Sequence, residues 1–198
     1  MIKKIGIIGA GHIGQALAGH LLRAGYKVML GNTGGANSLS QLTASLGSGA
    51  SAGSLEEVAA AELVFLAVPF SQVETLSALT EWKGKVVVDA TNNFGPPPSQ
   101  PSEIERQASA EINGKYLEGA RIVKAFNTLF AEVLKGEPNE VSGRRIIFLS
   151  GDYPSANSEV AEVIEKIGFA AIDLGPLANG KLAEPGGPFS GANLLKID

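Results

Sequence analysis

Gly9, Gly11 and Gly14 stand in G-x-G-x-x-G spacing between an apolar run, residues 2–8, and a stretch whose apolar residues Ile13, Leu17 and Leu21 recur at helical intervals. A chain that leaves a buried strand and enters a helix with no Cβ at three fixed positions is building a strand-turn-helix unit. Gly9 permits the tight turn, Gly11 lets the backbone approach a ligand, and Gly14 lets the helix lie close to the strand. The free N–H groups at the start of that helix then face an anion, in this motif a pyrophosphate. Gly25 supplies a helix stop, and a second apolar run, residues 26–30, follows at the distance a βαβ unit needs.

The alternation continues along the chain. Residues 63–68, 86–90, 122–126, 146–149 and 170–174 read as further short strands bounded by Gly, Pro or Asn. Helices are expected over 13–24, 39–46, 55–60, 70–77, 102–113 and 155–167, with a short turn over 130–134. Ser38 and Ser54 are the expected N-caps of the second and third helices, and Glu57 completes a capping box with Ser54. This pattern predicts an α/β fold: a Rossmann-like, doubly wound, mostly parallel sheet in three α/β/α layers. With 198 residues, 44% of them hydrophobic, one domain over 1–198 suffices. Pro96, Pro97, Pro98 and Pro101 exclude helix and ladder pairing from their segment, which reads as a surface loop at the rim of the sheet. Residues 183–193, with Gly186, Gly187 and Pro188, read as a loop.

Composition removes several function classes. The absence of cysteine excludes disulfides, thiol nucleophiles and thiolate metal sites, and with only His12 and His20 no metal site is expected. Net charge is −4, and no basic cluster exceeds the pairs Lys3-Lys4 and Arg144-Arg145, so neither nucleic acid nor an anionic membrane is an expected partner. Lys3-Lys4 with Ala16-Leu17-Ala18 imitates a secretory signal, but Gly9, Gly11, His12 and Gln15 break the apolar run. No stretch approaches the ~20 consecutive apolar residues that span a bilayer. The expected location is the cytoplasm.

In an open parallel sheet, ligands lie beyond the carboxyl ends of the strands near the point where strand order reverses. Gly9 to Gly14, Gly31 to Gly35, Pro69-Phe70, Thr91 to Asn93 and Asn127 to Leu129 all follow expected strands, so they converge on one rim. The end of the second strand selects the dinucleotide, because an acid there would hold both ribose hydroxyls of NAD. Here the residues are Asn32, Thr33, Gly34 and Gly35, with no acid to repel a 2′-phosphate, and NADP(H) is favoured. His12 either lies over the pyrophosphate or nicotinamide edge or is a plain exposed loop residue. Lys124 sits inside an apolar run, where its charge must reach solvent or find a partner. Projection at the rim is the expected outcome.

Taken together, Ile5 to Gly14, Gly31 to Gly35, Ala67-Val68-Pro69, Asp89 to Asn92, Lys124-Ala125-Phe126-Asn127-Thr128 and Asp173-Leu174-Gly175-Pro176 resemble the NADP oxidoreductase, coenzyme F-420-dependent family, whose relatives include the cytosolic domain of the STEAP metalloreductases. Glu184-Pro185-Gly186-Gly187-Pro188 resembles that family's C-terminal segment. The resemblance implies NADP(H) across the strand ends, with Gly9, Gly11, His12, Ile13 and Gly14 at the pyrophosphate and Asn32, Thr33 and Gly34 around the 2′-phosphate. Ala67, Val68, Pro69 and Asn92 would line the ribose and nicotinamide, and Ala125 and Asn127 would approach the nicotinamide. It implies a homodimer, and an extension over about 175–198 near the active site. One departure is Gly34, where the family typically has Arg.

The implied activity is hydride transfer between NADP(H) and coenzyme F-420 or a flavin (FMN or FAD), a step that positioning can accelerate without an obligatory acid, base or nucleophile. No catalytic side chain is therefore assigned. Two alternatives stand beside it: an NADPH-dependent reductase of a small imine, ketone or metal complex, and a protein that binds or senses NADP(H) without turnover.

Overall fold

A computed structural model describes residues 4–94 and 107–197. The predicted helix over 102–113 lies partly outside these residues, and Pro96, Pro97, Pro98 and Pro101 lie wholly outside them.

Five strands form a continuous parallel ladder in the order β2, β1, β4, β5, β6: β1 Lys4–Ile8, β2 Lys27–Gly31, β4 Leu63–Leu66, β5 Val86–Asp89 and β6 Arg121–Ala125. A short edge strand, β3 (Ala50–Ala52), pairs parallel with β2 and completes the doubly wound order 3-2-1-4-5-6. Strand order reverses between β1 and β4. Beyond β6 the sheet changes sense, because β8 (Gly143–Ser150) runs antiparallel to β6 and then parallel to β9 (Ala170–Asp173). Two further short strands, β7 (Asn139–Glu140) and β10 (Leu195–Lys196), pair with the start of β8. The Rossmann-like, mostly parallel sheet is thus as the alternation of apolar runs indicated. The two-residue and three-residue strands escaped notice because they are too short to carry a period-2 signal.

Helices α1 (His12–Arg23), α5 (Ala131–Lys135) and α6 (Pro154–Lys166) cover one face; α3 (Leu55–Ala59) and α4 (Ser109–Tyr116) cover the other. Side chains alternate across the strands, so each face has its own apolar layer. Ile5, Ile7, Phe65 and Val88 pack with Leu17 and Leu21 on the first face; Ile8, Val64, Leu66 and Val87 pack with Val58 and Trp82 on the second. Ser54 forms the expected capping box with Glu57.

Two local expectations fail. Residues 70–77 form a 3₁₀ segment, Phe70–Leu76, rather than an α-helix. Helix α2 (Ser40–Leu46) begins after a 3₁₀ turn, Ala36–Leu39, and Ser38 does not cap it. The Ser38 hydroxyl instead bonds Asn32 Oδ1 and the Gly35 carbonyl, because a positive φ at Gly35 turns the chain before the helix starts. His20 is buried; its Nε2 bonds the Leu134 carbonyl at 2.6 Å and its ring lies edge-on to Phe169.

Candidate functional site

The three motif glycines are required for different reasons. Gly9 adopts φ +107°, and a Cβ there would lie 2.2 Å from the Ala67 carbonyl oxygen. A Cβ on Gly14 would lie 2.0 Å from the Gly9 carbonyl oxygen. Both residues are therefore glycine because the protein packs against itself. Gly11 has an ordinary extended conformation, φ −74° and ψ −171°, and a Cβ on it would meet nothing within 4 Å. Its bareness serves the space outside. Gly11 is also the N-cap of α1, with no side chain closing the helix start and no acid in the first turn, so the first N–H groups and the positive end of the helix dipole face that space.

That space is a cavity of about 550 Å³ at the carboxyl ends of β1, β4, β5 and β6, where strand order reverses. Gly11, His12 and Ile13 form one wall, Ala67, Val68 and Pro69 another, and Asn92 and Asn127 a third. The cavity is thus where most of the expected site residues meet. Gly9 and Gly14 stand behind it as packing glycines. Asn32, Thr33 and Gly34 lie outside its lining, at the end of β2, whose Gly31 carbonyl accepts the Gly9 N–H at 2.8 Å. Ala125 is buried in the core at the end of β6, and its neighbour Phe126 faces the cavity instead.

Phe126 has φ +62°, a left-handed conformation that costs a non-glycine residue about 1 kcal/mol. The turn it makes carries the chain off β6 toward Asn92. The Asn92 Nδ2 donates to the Asn127 backbone carbonyl at 2.7 Å, and Asn127 Nδ2 donates to Asn92 Oδ1 at 3.1 Å and to the Ala183 carbonyl at 3.0 Å. Asn127 Oδ1 and Thr128 Oγ1 are buried and have no protein partner, although both residues line the cavity. A buried polar atom left unpaired costs about 1–3 kcal/mol, which a polar ligand group relieves.

Sequence reasoning missed two aromatic residues of the mouth. Phe94 and Phe130 line the cavity yet are 78% and 72% exposed. Neither carries a local signal, since a lone Phe beside a proline-rich stretch or a short helix reads as core. Pro185, Ser190 and Gly191 complete the lining from the C-terminal segment.

At the end of β2, Asn32 Oδ1 accepts from the Gly34 N–H at 3.0 Å and the Ser38 hydroxyl at 3.1 Å. The carboxamide oxygen is thereby committed within the turn. The N–H of Gly34 is occupied by this bond, and Thr33 beside it is exposed.

Lys124 does not project at the rim. It is 1% exposed, sits beside Asp89 in the β5/β6 register, and donates to the Thr91 carbonyl and to Ser109 Oγ. A charge placed on the inner face of a two-sided sheet must find partners there, and Asp89 Oδ1 and Glu184 Oε1 lie 3.5 Å and 3.9 Å from its Nζ.

The family model for NADP oxidoreductase, coenzyme F420-dependent, matches residues 4–93, the stretch that carries β1 through β5. A solved structure assigned as an F420-dependent NADP reductase, from Arthrobacter sp., is 26% identical, superposes with a TM-score of 0.72, and shares 89% of this chain and 86% of that one. Over residues 4–93 the chain is similar to the NADP oxidoreductase, coenzyme F420-dependent family. A hypothetical protein from Sinorhizobium meliloti resembles the chain over nearly its whole length, with 40% identity, a TM-score of 0.90, and coverage of 99% of this chain and 96% of that chain. Metalloreductase STEAP3 from Rattus norvegicus is 30% identical over 189 residues, 91% of this chain, but the chain spans only 36% of the length of that relative. Among the described residues no helix is long and apolar enough to cross a membrane.

Proposed function

We propose that the chain transfers hydride between NADP(H) and a planar redox ring, a deazaflavin such as coenzyme F-420 or a flavin. The observation that carries this reading is Gly11: packing explains Gly9 and Gly14, and only a group outside the protein explains a bare residue at the mouth of the cavity. The residues present fit that coenzyme. N–H groups at the start of α1 would hold its pyrophosphate, with His12 and Ile13 flanking it, and Asn32, Thr33 and Gly34 would surround its 2′-phosphate.

When bound, the nicotinamide supplies or accepts a hydride. Ala67, Val68 and Pro69 offer it an apolar wall, while Asn127 Oδ1 and Thr128 Oγ1 offer unpaired polar atoms for its carboxamide. Phe94 and Phe130, exposed at the mouth, are suited to lie against a flat ring and keep water from it. No proton has to move for hydride transfer between two rings to begin, so no side chain needs to act as acid, base or nucleophile. The family resemblance further carries the expectation of a homodimer in the cytoplasm, with residues 175–198 near the active site.

Stopped-flow oxidation of NADPH tests the reading. Turnover with F-420, FMN or FAD is the expected result. Turnover only with a small imine or ketone would move the chain to the alternative acceptor class, and NADPH binding without any oxidation would make it a sensor.

A further inference from the structure

Beneath the cavity lies a buried polar cluster to which hydride transfer assigns no role. Lys124, Asp89 and Glu184 are 1%, 0% and 3% exposed. Ser109 links them: its hydroxyl accepts from Lys124 Nζ at 2.9 Å and donates to Glu184 Oε1 at 2.7 Å, and its backbone N–H donates to the same carboxylate oxygen at 2.6 Å. Asp89 is held separately, by the Thr91 N–H at 2.8 Å and Asn113 Nδ2 at 2.8 Å. Replacing such a cluster with well-packed apolar residues is often neutral or stabilising, so stability alone is a weak reason for its presence.

Its position suggests another. Lys124 also donates to the carbonyl of Thr91, and Thr91 lines the cavity. Glu184 immediately precedes Pro185, the first cavity residue of the C-terminal segment, and the Ala183 carbonyl accepts from Asn127. Beyond Glu184 the segment is held more lightly: turn hydrogen bonds at Gly187, Phe189 and Ser190, and a stack of Phe189 on Phe148 at 4.4 Å. Two parts of the cavity lining distant in sequence, Thr91 and the closing segment that starts at Pro185, thus meet at one ion cluster.

We propose that Lys124, Ser109 and Glu184 form a buried clamp that fixes the closing segment, residues 184–191, as a wall of the cavity, and that Glu184 is thereby a positioning residue for the nicotinamide. The clamp rests on the reading above only in its second half, since the wall is held whether or not a coenzyme is bound.

Hydrogen exchange of the full chain without ligand tests the first half. Glu184→Gln leaves the Lys124–Asp89 pair intact and is expected to fold. It should speed amide exchange in the peptide covering 184–191 about tenfold and leave the β1–α1 peptides unchanged. Ser109→Ala keeps every charge and should act in the same direction. Wild-type exchange over 184–191 in both variants would overturn the clamp.

NADPH fluorescence tests the second half. Glu184→Gln should keep the NADPH Kd within about threefold of wild type, because the phosphate turn is separate, while weakening the emission enhancement of the bound nicotinamide. Unchanged enhancement would overturn the positioning role. Failure of the wild type to bind NADPH would overturn the coenzyme reading instead, and the exchange result would still decide the clamp.

Discussion

The turn after β1 and the polar floor beneath the ends of β5 and β6 both shape one cavity, yet they are built in opposite ways. The turn is local and made of main chain. Its three glycines fall within six residues, and what it presents is unoccupied N–H groups and open space. The floor is nonlocal and made of side chains: Ser109 and Glu184, 75 residues apart in sequence, meet within hydrogen-bond distance beside Lys124. A backbone-built site tolerates almost no added atom where it packs, whereas a side-chain cluster depends on every partner remaining present.

Gly9→Ala should have the largest effect. A left-handed φ and a 2.2 Å clash with a backbone oxygen together cost about 3 kcal/mol or more, and thermal unfolding should show it. Lys124→Met follows closely, because it removes the cation beside the buried Asp89 carboxylate and leaves Glu184 with the half-exposed Lys181 at 3.7 Å. A loss of about 3–5 kcal/mol in denaturant unfolding is expected. Equal stability would mean that water reaches the floor. Gly11→Val separates binding from folding: its circular dichroism and thermal midpoint should match wild type, while NADPH affinity falls about a hundredfold, ~2.8 kcal/mol. Unchanged affinity would remove the pyrophosphate from this turn. Comparing NADPH with NADH is a gentler probe. A modest preference for NADPH is expected from the Asn32-Thr33 turn, and equal or tighter NADH binding would dismiss the 2′-phosphate argument.

The smallest effect concerns a site away from the cavity. Burial lowers the pKa of His20 below its ordinary 6.5, and its Nδ1 accepts from Arg23 at 2.7 Å, a bond that the protonated ring cannot make. The unfolded chain therefore binds the proton more readily than the folded one. The His20 contribution is present above about pH 6.5 and is lost as pH falls through the lowered value. Thermal midpoints measured across that range should drop less in His20→Phe than in wild type.

Much of the architecture was legible because burial on both faces of a parallel strand leaves an uninterrupted apolar run, and five such runs sit within one or two residues of β1, β2, β4, β5 and β6. The Ser54-Glu57 box was equally readable, since both partners lie within one helical turn. Ser38 misled for the same local reason: its hydroxyl had a competing partner in Asn32, six residues away across a turn whose geometry is set by Gly35. The end of β6 misled differently. The apolar run was visible, but only the positive φ of Phe126 determines that Phe126 and Asn127, rather than Ala125, reach the cavity.

By itself, the sequence determined the strand-turn-helix unit, the order of strands and helices, and the rim on which ligands would gather. These depend on spacing between near neighbours, where glycine, proline and apolar period act directly on the backbone. Tertiary structure alone decided that Lys124 turns inward, that Glu184 returns to meet it, and that Phe94 and Phe130 stand exposed at the mouth. A buried charge takes whichever opposite charge the folded chain brings within a few ångströms, and that distance is a property of the packed sheet rather than of any stretch of residues.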